Sequence, residues 1–181
     1  MLKIAITSLS AYSEGVLHFE WIELGIEKEE IQSCIDRVLR EGEALCLSKH
    51  HEEYFISDFE WDGISLWEVG EYDSIFDLND RVILVEENIE EYQLKAVKFL
   101  FDNSFAENIE EIIDKSLLED IILHEDSSME DIAAEYVENF ISFDNLNPLI
   151  ASNICYASIG RDLELDGSYY VEGSDVFEYI G

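Results

Sequence analysis

Three short runs of side chains contain residue types that could bind a metal ion. The run from His50 to Glu53 offers two imidazoles and two carboxylates, but neighbouring side chains point apart and the HExxH spacing is missing. The run from His124 to Asp126 is better explained as a turn between a strand and a helix. The run from Asp77 to Asp80 lacks the glycine and the distal bidentate glutamate of an EF-hand loop. We therefore predict no metal site.

Catalytic constellations are also missing from the pattern of residues. The sequence contains neither a glycine-rich phosphate loop nor a G-x-S-x-G nucleophile elbow. Carboxylates are so numerous that no pair stands out as an acid–base dyad. Cys34, Cys46 and Cys155 are odd in number and widely spaced, which suggests neither a disulfide framework nor a zinc site. We expect a protein that is not an enzyme and has no cofactor.

The carboxylates themselves are the feature that rises well above background. The 181 residues include 43 Asp and Glu against 10 Lys and Arg, which gives a net charge of −33. Because 48% of the residues are hydrophobic and 12% are aromatic, the chain can bury a core, unlike most chains of this charge. Direct binding to nucleic acid or to an anionic membrane is excluded, since like charges repel. The expected partner is a basic protein, or a site that normally holds an anion.

Location follows from two further features of the sequence. The N-terminal residues lack the apolar core of a signal peptide. No apolar window approaches the length that spans a bilayer. The cytoplasm is therefore the expected compartment.

The first third of the chain shows the periodicities of an α+β domain. Alternating residues predict strands at 3–9, 16–24 and 53–60, and residues 10–15 resemble a turn. In the third strand, alternation places Ile56 and Phe59 on opposite faces. A helical stripe that includes Cys34 predicts a helix over 27–41, which Gly42 is expected to end.

The middle of the chain is predicted to be helical and the last third α+β. Ser74 with Asp77 resembles a capping box at the start of one helix, and two more helices are expected at 90–103 and 107–118. In the last third, Ser128 with Asp131 caps a further helix. That helix is predicted to end at about Ile141. The remaining predicted elements are a strand at 119–124, a short helix near 149–158, and strands at 162–165, 168–172 and 175–180.

These elements divide the chain into three predicted domains: an N-terminal α+β domain (1–66), a helical domain (67–107) and a C-terminal α+β domain (108–181). The predicted fold class is α+β, with small antiparallel sheets in the outer domains. The net charges of the three segments are −9, −8 and −16. The charge therefore lies on the folded body and does not form an acidic tail.

Several carboxylates are predicted to lie together on exposed faces. On the helix that begins at Ser128, Asp131, Glu135 and Glu138 share one face at i, i+4 and i+7. At the charge density of duplex DNA, 33 charges correspond to roughly 56 Å, or about 16 base pairs. We call the following residues the carboxylate set and propose that they imitate phosphates: Glu86, Glu87, Glu90, Glu91, Glu107, Glu110, Glu111, Asp114, Glu119, Asp120, Glu125, Asp126, Glu130, Asp131, Glu135 and Glu138.

Both ends of the chain resemble the ArdA family of antirestriction proteins. The stretch from Ile4 to Leu24 is similar to the family's opening strand, its Tyr-x-x-Gly turn (Tyr12 and Gly15) and its Trp-containing second strand. Residues 52–60 resemble the family's acidic and aromatic strand. Residues 156–165, YASIGRDLEL, resemble the antirestriction motif.

The resemblance implies a fold, a function and a set of partners. Members are elongated chains of three small domains that look like bent B-form DNA when they form homodimers. They occupy the DNA-binding groove of type I restriction-modification enzymes, on the specificity and methyltransferase subunits, and protect incoming mobile-element DNA. The antirestriction motif is associated with the dimer contact, which here implies a role for Tyr156, Ile159, Gly160, Arg161, Asp162 and Leu163.

Other interpretations of the charge and the motif are retained. The same mimicry could be directed at a CRISPR effector or a nucleoid protein. An acidic chaperone or buffer for basic proteins or calcium is a different class, and it would bind broadly without inhibiting an enzyme stoichiometrically. For the motif, a simpler interpretation is a turn at Gly160 with Arg161 paired to nearby acids.

Overall fold

The computed structural model of the protein describes residues 1–140 and 147–181. Within these ranges the fold is mixed α+β, with eight α-helices and two three-stranded antiparallel sheets, which confirms the predicted fold class. The chain forms two compact units, Met1–Ile113 and Asp114–Gly181. The domain boundaries at 66 and 107 stay predictions. Nowhere in the described ranges is a helix both long enough and apolar enough to cross a membrane.

The first unit is built on a sheet whose central strand is β1 (Leu2–Ser8). Strands β2 (Phe19–Glu23) and β3 (Tyr54–Trp61) flank it, and both run antiparallel to it. All three strands were predicted, although the second is shorter than expected. The turn predicted over residues 10–15 is largely a short helix, α1 (Leu9–Ser13), because the Ser8 hydroxyl caps it by accepting from the Ala11 N–H at 3.4 Å.

Helix α2 (Lys28–Leu45) covers one face of this sheet. The predicted stripe is confirmed, since Ile31, Cys34, Ile35 and Val38 are all buried. The prediction that Gly42 ends the helix is wrong. Gly42 is buried inside α2, where an added Cβ would lie 3.0 Å from a His51 ring nitrogen and 3.2 Å from the Ser8 Cβ. The glycine permits close packing here and does not form a cap.

Strand β3 contains a β-bulge that its sequence does not reveal. The pairing between β1 and β3 shifts by one residue at Ser57, which is the extra residue on β3. The alternation of side chains therefore changes phase, and Ile56 and Phe59 both pack in the core. The prediction that they lie on opposite faces is wrong for this reason.

The rest of the first unit is helical, as predicted. It contains α3 (Ile75–Asn88), a 3₁₀ segment (Glu91–Gln93), α4 (Leu94–Asp102) and nearly all of α5 (Ile109–Asp114). Helix α5 is shorter than the helix predicted there, and its last residue is the first residue of the second unit. The cap at Ser74 is confirmed, because its hydroxyl accepts from the Asp77 N–H at 3.3 Å.

Asn79, on α3, ties that helix to the loop between β2 and α2. It is fully buried, and its Oδ1 accepts from the N–H groups of Gly25 (2.8 Å) and Ile26 (3.1 Å). Its Nδ2 donates to the Ile26 carbonyl at 2.9 Å. One side chain therefore satisfies three backbone groups, which explains a polar residue in the run that superficially resembled a calcium loop.

Replacing Asn79 with leucine is expected to destabilise the first unit by about 2 kcal/mol. Leucine keeps the approximate volume but leaves the backbone groups of Gly25 and Ile26 without partners. Urea unfolding monitored by tryptophan fluorescence measures the loss. Asn88→Leu is the matched control, since Asn88 is exposed on the same helix. Equal stability of the two variants would contradict the role given to Asn79.

The second unit has its own sheet, in the order β4 (Ile121–His124), β6 (Asp175–Tyr179), β5 (Tyr169–Glu172). These three strands were predicted. A 3₁₀ segment (Leu117–Asp120) precedes β4.

Three helices complete the second unit. They are α6 (Met129–Phe140), α7 (Pro148–Ala151) and α8 (Tyr156–Asp166). The predicted end of α6 at Ile141 lies outside the described residues. The helix predicted near 149–158 is two elements, and the strand predicted at 162–165 is wrong, because those residues continue α8. Gly167, with φ of 90°, forms the left-handed cap that ends α8.

Candidate functional site

The candidate site is the acidic surface of each unit. Among the acidic residues that the structure describes, only Asp175 is buried. Its carboxylate accepts from the Asp126 N–H at 3.0 Å, so this buried acid has a structural role. In the carboxylate set, all residues are exposed except Glu111 and Asp120, which are partly buried.

In the first unit, the carboxylate set lies where helices end or begin. Glu86 and Glu87 lie in the last turn of α3, and Glu90 and Glu91 at the following 3₁₀ segment. Three further members surround the start of α5, namely Glu107, Glu110 and Glu111. The first-turn positions are stabilising, because the N-terminal end of a helix carries partial positive charge.

Glu86 differs from its neighbours in its surroundings. Its carboxylate lies against Gly25, where an added Cβ would be 2.7 Å from the nearer carboxylate oxygen. The lost hydration raises the pKa of Glu86, the N-terminal amino group partly opposes this, and the charge of Glu23 adds to it. The same carboxylate lines an open cleft of about 650 Å³ together with Glu27, Glu29, Glu30 and Glu87.

In the second unit, helix α6 carries the clearest row of carboxylates. Asp131, Glu135 and Glu138 are exposed, as their spacing predicts, whereas the opposite face buries Ile132, Ala133 and Val137. Successive members of the row advance by about 6 Å and 4.5 Å along the helix axis. The remaining members are Asp114 at the end of α5, Glu119 and Asp120 before β4, Glu125 and Asp126 after it, and Glu130 in the first turn of α6.

Asp131 and Ser128 cap α6 reciprocally, which confirms the predicted cap. The Ser128 N–H and hydroxyl donate to Asp131 Oδ2 at 2.9 and 2.6 Å, and the Asp131 N–H donates to the Ser128 hydroxyl at 3.3 Å. The serine hydroxyl, followed by the serine N–H, lowers the pKa of Asp131. This carboxylate therefore stays charged to lower pH than an ordinary aspartate.

Basic side chains pair with some of the acids in the described part of the chain. Lys28 pairs with Asp80 at 2.7 Å, and Lys98 with Asp102 at 2.9 Å. Arg37 pairs with Glu20, and this contact lowers the pKa of Glu20. None of these acids belongs to the carboxylate set. Ten basic residues cannot balance 43 acids, so both units remain strongly negative.

The motif of residues 156–165 forms most of helix α8, which packs on α6. Tyr156, Ile159, Gly160 and Leu163 share one face at i, i+3, i+4 and i+7, and this face is buried or half-buried. Arg161 and Asp162 are exposed. The structure therefore does not place all six motif residues on one outward surface.

Gly160 is required by the contact between α8 and α6. An added Cβ would lie 2.4 Å from the Met129 carbonyl oxygen and 2.8 Å from its carbonyl carbon, both of them backbone atoms. The simpler interpretation of Gly160 as a turn is wrong, because it lies inside a helix. The expected pairing of Arg161 is also absent, since Arg161 forms no ion pair with any residue of the described ranges.

The histidines in the runs that could have bound metal lie close to polar side chains of the protein. His51 is buried, with Nδ1 2.8 Å from the Ser8 hydroxyl and Nε2 3.0 Å from the Ser48 hydroxyl. His124 Nε2 lies 3.4 Å from a Glu178 oxygen. Over residues 1–140 and 147–181, no three His, Cys, Asp or Glu side chains are grouped to hold a metal ion.

The sequence matches the model of one known protein family over nearly its whole length. The model described as antirestriction protein (ArdA) matches residues 4–178. No curated protein matches the chain significantly. The matched range spans most of both sheets, the whole carboxylate set and Gly160. The chain therefore belongs to the ArdA family of antirestriction proteins.

Proposed function

We propose that this protein is a DNA mimic that occupies the DNA-binding groove of type I restriction-modification enzymes. Its targets are the specificity and methyltransferase subunits, and its effect in the cytoplasm is to protect incoming mobile-element DNA. The observation that carries the proposal is the carboxylate set on an antirestriction-family chain, in which almost every acid of the described ranges faces solvent.

The mechanism is competition by charge. An enzyme that grips duplex DNA does so with Lys and Arg side chains that contact phosphates, and binding releases the counterions condensed on the duplex. Carboxylates held on folded elements present a comparable array to those cations. The array is pre-ordered, since the acids lie at helix termini and on α6 rather than in an unstructured tail. Each bound inhibitor occupies one DNA-binding groove, so inhibition is stoichiometric.

We also propose a homodimer in which α8 contributes to the contact. The exposed Arg161 supports this, because it forms no ion pair within residues 1–140 and 147–181 and could pair with an acid of a second copy. Light scattering should then report twice the 20.9 kDa mass of one chain, and Arg161→Glu should shift the mass toward the monomer. A wild-type monomer mass at the concentrations that inhibit would contradict a dimeric mimic.

Two other functions make different predictions. A mimic directed at a CRISPR effector or a nucleoid protein would inhibit that target and leave a type I enzyme unaffected. An acidic chaperone or buffer would bind many basic proteins with similar strength, and histone or lysozyme would compete for it. The family supports restriction-modification enzymes over both.

Gel-shift competition tests the proposal directly. A type I methyltransferase bound to a labelled duplex is titrated with the protein, and we expect stoichiometric release of the duplex. Displacement should weaken as salt rises. Bovine serum albumin is a control for an acidic protein of unrelated structure. A duplex that stays bound at large molar excess of the protein would exclude this target.

A further inference from the structure

The face of the first sheet opposite α2 carries an open groove of about 270 Å³, which we call the sheet groove. Its floor is formed by Ala5 and Thr7 of β1. Phe19 and Trp21 of β2 form one wall, and Ser57 and Asp58 of β3 form the other. The pairing registers explain the shape, because small Ala5 lies between Trp21 on one side and Asp58 on the other.

The groove exposes large apolar side chains that a folded monomer ordinarily buries. Phe19 is 51% exposed, Trp21 41% and Leu17, at one end of the groove, 78%. The polar floor is already satisfied, since the Thr7 and Ser57 hydroxyls are 2.7 Å apart. An apolar group laid along the floor would therefore leave no donor or acceptor stranded.

The charge around the groove is negative and defines the chemistry of an occupant. Asp58 is exposed, accepts from the Phe59 N–H at 2.9 Å and has no basic partner in the part of the chain that the structure describes. In the next row of the sheet, Lys3 lies between Glu23 and Glu60. A second copy of this chain would bring acids against acids, so self-association through the groove is disfavoured.

We propose that the sheet groove accepts an arginine side chain of the protein that this chain inhibits. The methylene stem would lie between the exposed Trp21 and Asp58 side chains, above the buried Ala5. The guanidinium would stack on the Trp21 ring and pair with Asp58. Arginine fits better than lysine, because a planar guanidinium stacks on an aromatic face and bonds a carboxylate with two N–H groups. The proposal rests on the proposed function for its partner, a DNA-binding enzyme rich in surface arginine. It adds an apolar contact to phosphate mimicry.

A peptide titration tests the groove without any enzyme. The ¹⁵N-labelled full chain is titrated with N-acetyl-Leu-Arg-Leu-amide and with the same peptide carrying neutral citrulline. We expect saturable shifts of the Trp21 indole and of the Ser57 and Asp58 amides. We also expect at least fivefold weaker binding of the citrulline peptide, because it retains the stem but loses the charge. Equal binding of the two peptides, or shifts spread over all acidic surfaces without saturation at the groove, would overturn the proposal.

Two variants extend the test to the enzyme. Asp58→Asn removes the charge and keeps the oxygen that accepts from Phe59, and Trp21→Thr removes the ring at a β-favouring position. Leu47→Thr is the control, since Leu47 is 94% exposed and outside the groove.

In the methyltransferase competition, we expect that half of the labelled duplex is released at about a fivefold higher concentration of either groove variant than of wild type or the control. The dependence of displacement on salt should fall slightly in Asp58→Asn, which loses one charge, and should stay as in wild type in Trp21→Thr, which loses none. If wild type displaces DNA and the groove variants match it, the groove proposal fails alone. If wild type does not displace DNA, the proposed function fails and the peptide titration still decides the groove. If light scattering reports a dimer for wild type and a lower mass for Trp21→Thr, the groove binds a second copy of the chain. That result would overturn the proposal.

Discussion

Valine in place of Gly160 is expected to destabilise the unit Asp114–Gly181 by about 3 kcal/mol. Even one added Cβ would lie 2.4 Å from the Met129 carbonyl oxygen, so α8 must move away from α6. The obstacle is backbone, which cannot rotate out of the way as a side chain can. The separation would also open the packing of Ile159 and Leu163 on the same face of α8.

Amide hydrogen exchange measures this effect within the second unit. The amides of α6 and α8 should exchange about a hundredfold faster in Gly160→Val, while those of the first unit stay unchanged. Ala157→Val introduces the same β-branched residue at an exposed position of α8 and is the matched control. The direction in which Gly160→Ala changes stability is a further test. Helix propensity alone would make alanine stabilising by about 0.5–1 kcal/mol, whereas the contact with Met129 makes it destabilising. Stabilisation by alanine would contradict the close contact.

Neutralising six carboxylates together is expected to weaken binding to the target enzyme by about a hundredfold at low salt. Each exposed pair contributes about 0.5 kcal/mol, and six sum to about 3 kcal/mol. The variant replaces six exposed glutamates of the carboxylate set with glutamine. Three lie in each unit: Glu87, Glu91, Glu110, Glu130, Glu135 and Glu138. A single change such as Glu135→Gln should alter affinity less than about threefold, because the binding energy is spread over many charges.

The control for this variant keeps the charge and changes the shape. The same six positions are changed to aspartate, which should bind within about fivefold of wild type. The slope of the logarithm of affinity against the logarithm of salt should fall in the glutamine variant only. Wild-type affinity in the glutamine variant would contradict a role for these carboxylates.

Much of the fold follows from local pattern, and the errors follow from contacts that no local pattern contains. The sequence located five of the six strands closely, with β2 as the exception, and serine–aspartate pairs located the starts of α3 and α6. The bulge at Ser57 depends on how β3 pairs with β1, so alternation within β3 could not reveal it. Gly42 and Gly160 suggested breaks, yet both lie within helices where a neighbouring element comes too close for a Cβ.

The candidate site was predictable in part for a simple reason. Unpaired charge is too costly to bury, so an excess of acids must face solvent whatever the fold. The sheet groove could not be predicted in this way, because its exposed side chains are apolar. In the strand predicted at 16–24, alternating positions put Leu17, Phe19 and Trp21 on one face. Only the position of α2 decides that this face stays open.

The most direct test of DNA mimicry is calorimetric titration of a type I methyltransferase with this protein, with and without a saturating duplex. If the protein occupies the DNA-binding groove, it binds the free enzyme, its affinity falls linearly with salt on logarithmic axes, and its binding to the DNA-saturated enzyme is lost. Undiminished binding to the DNA-saturated enzyme would contradict the account, because the two ligands would then use different sites.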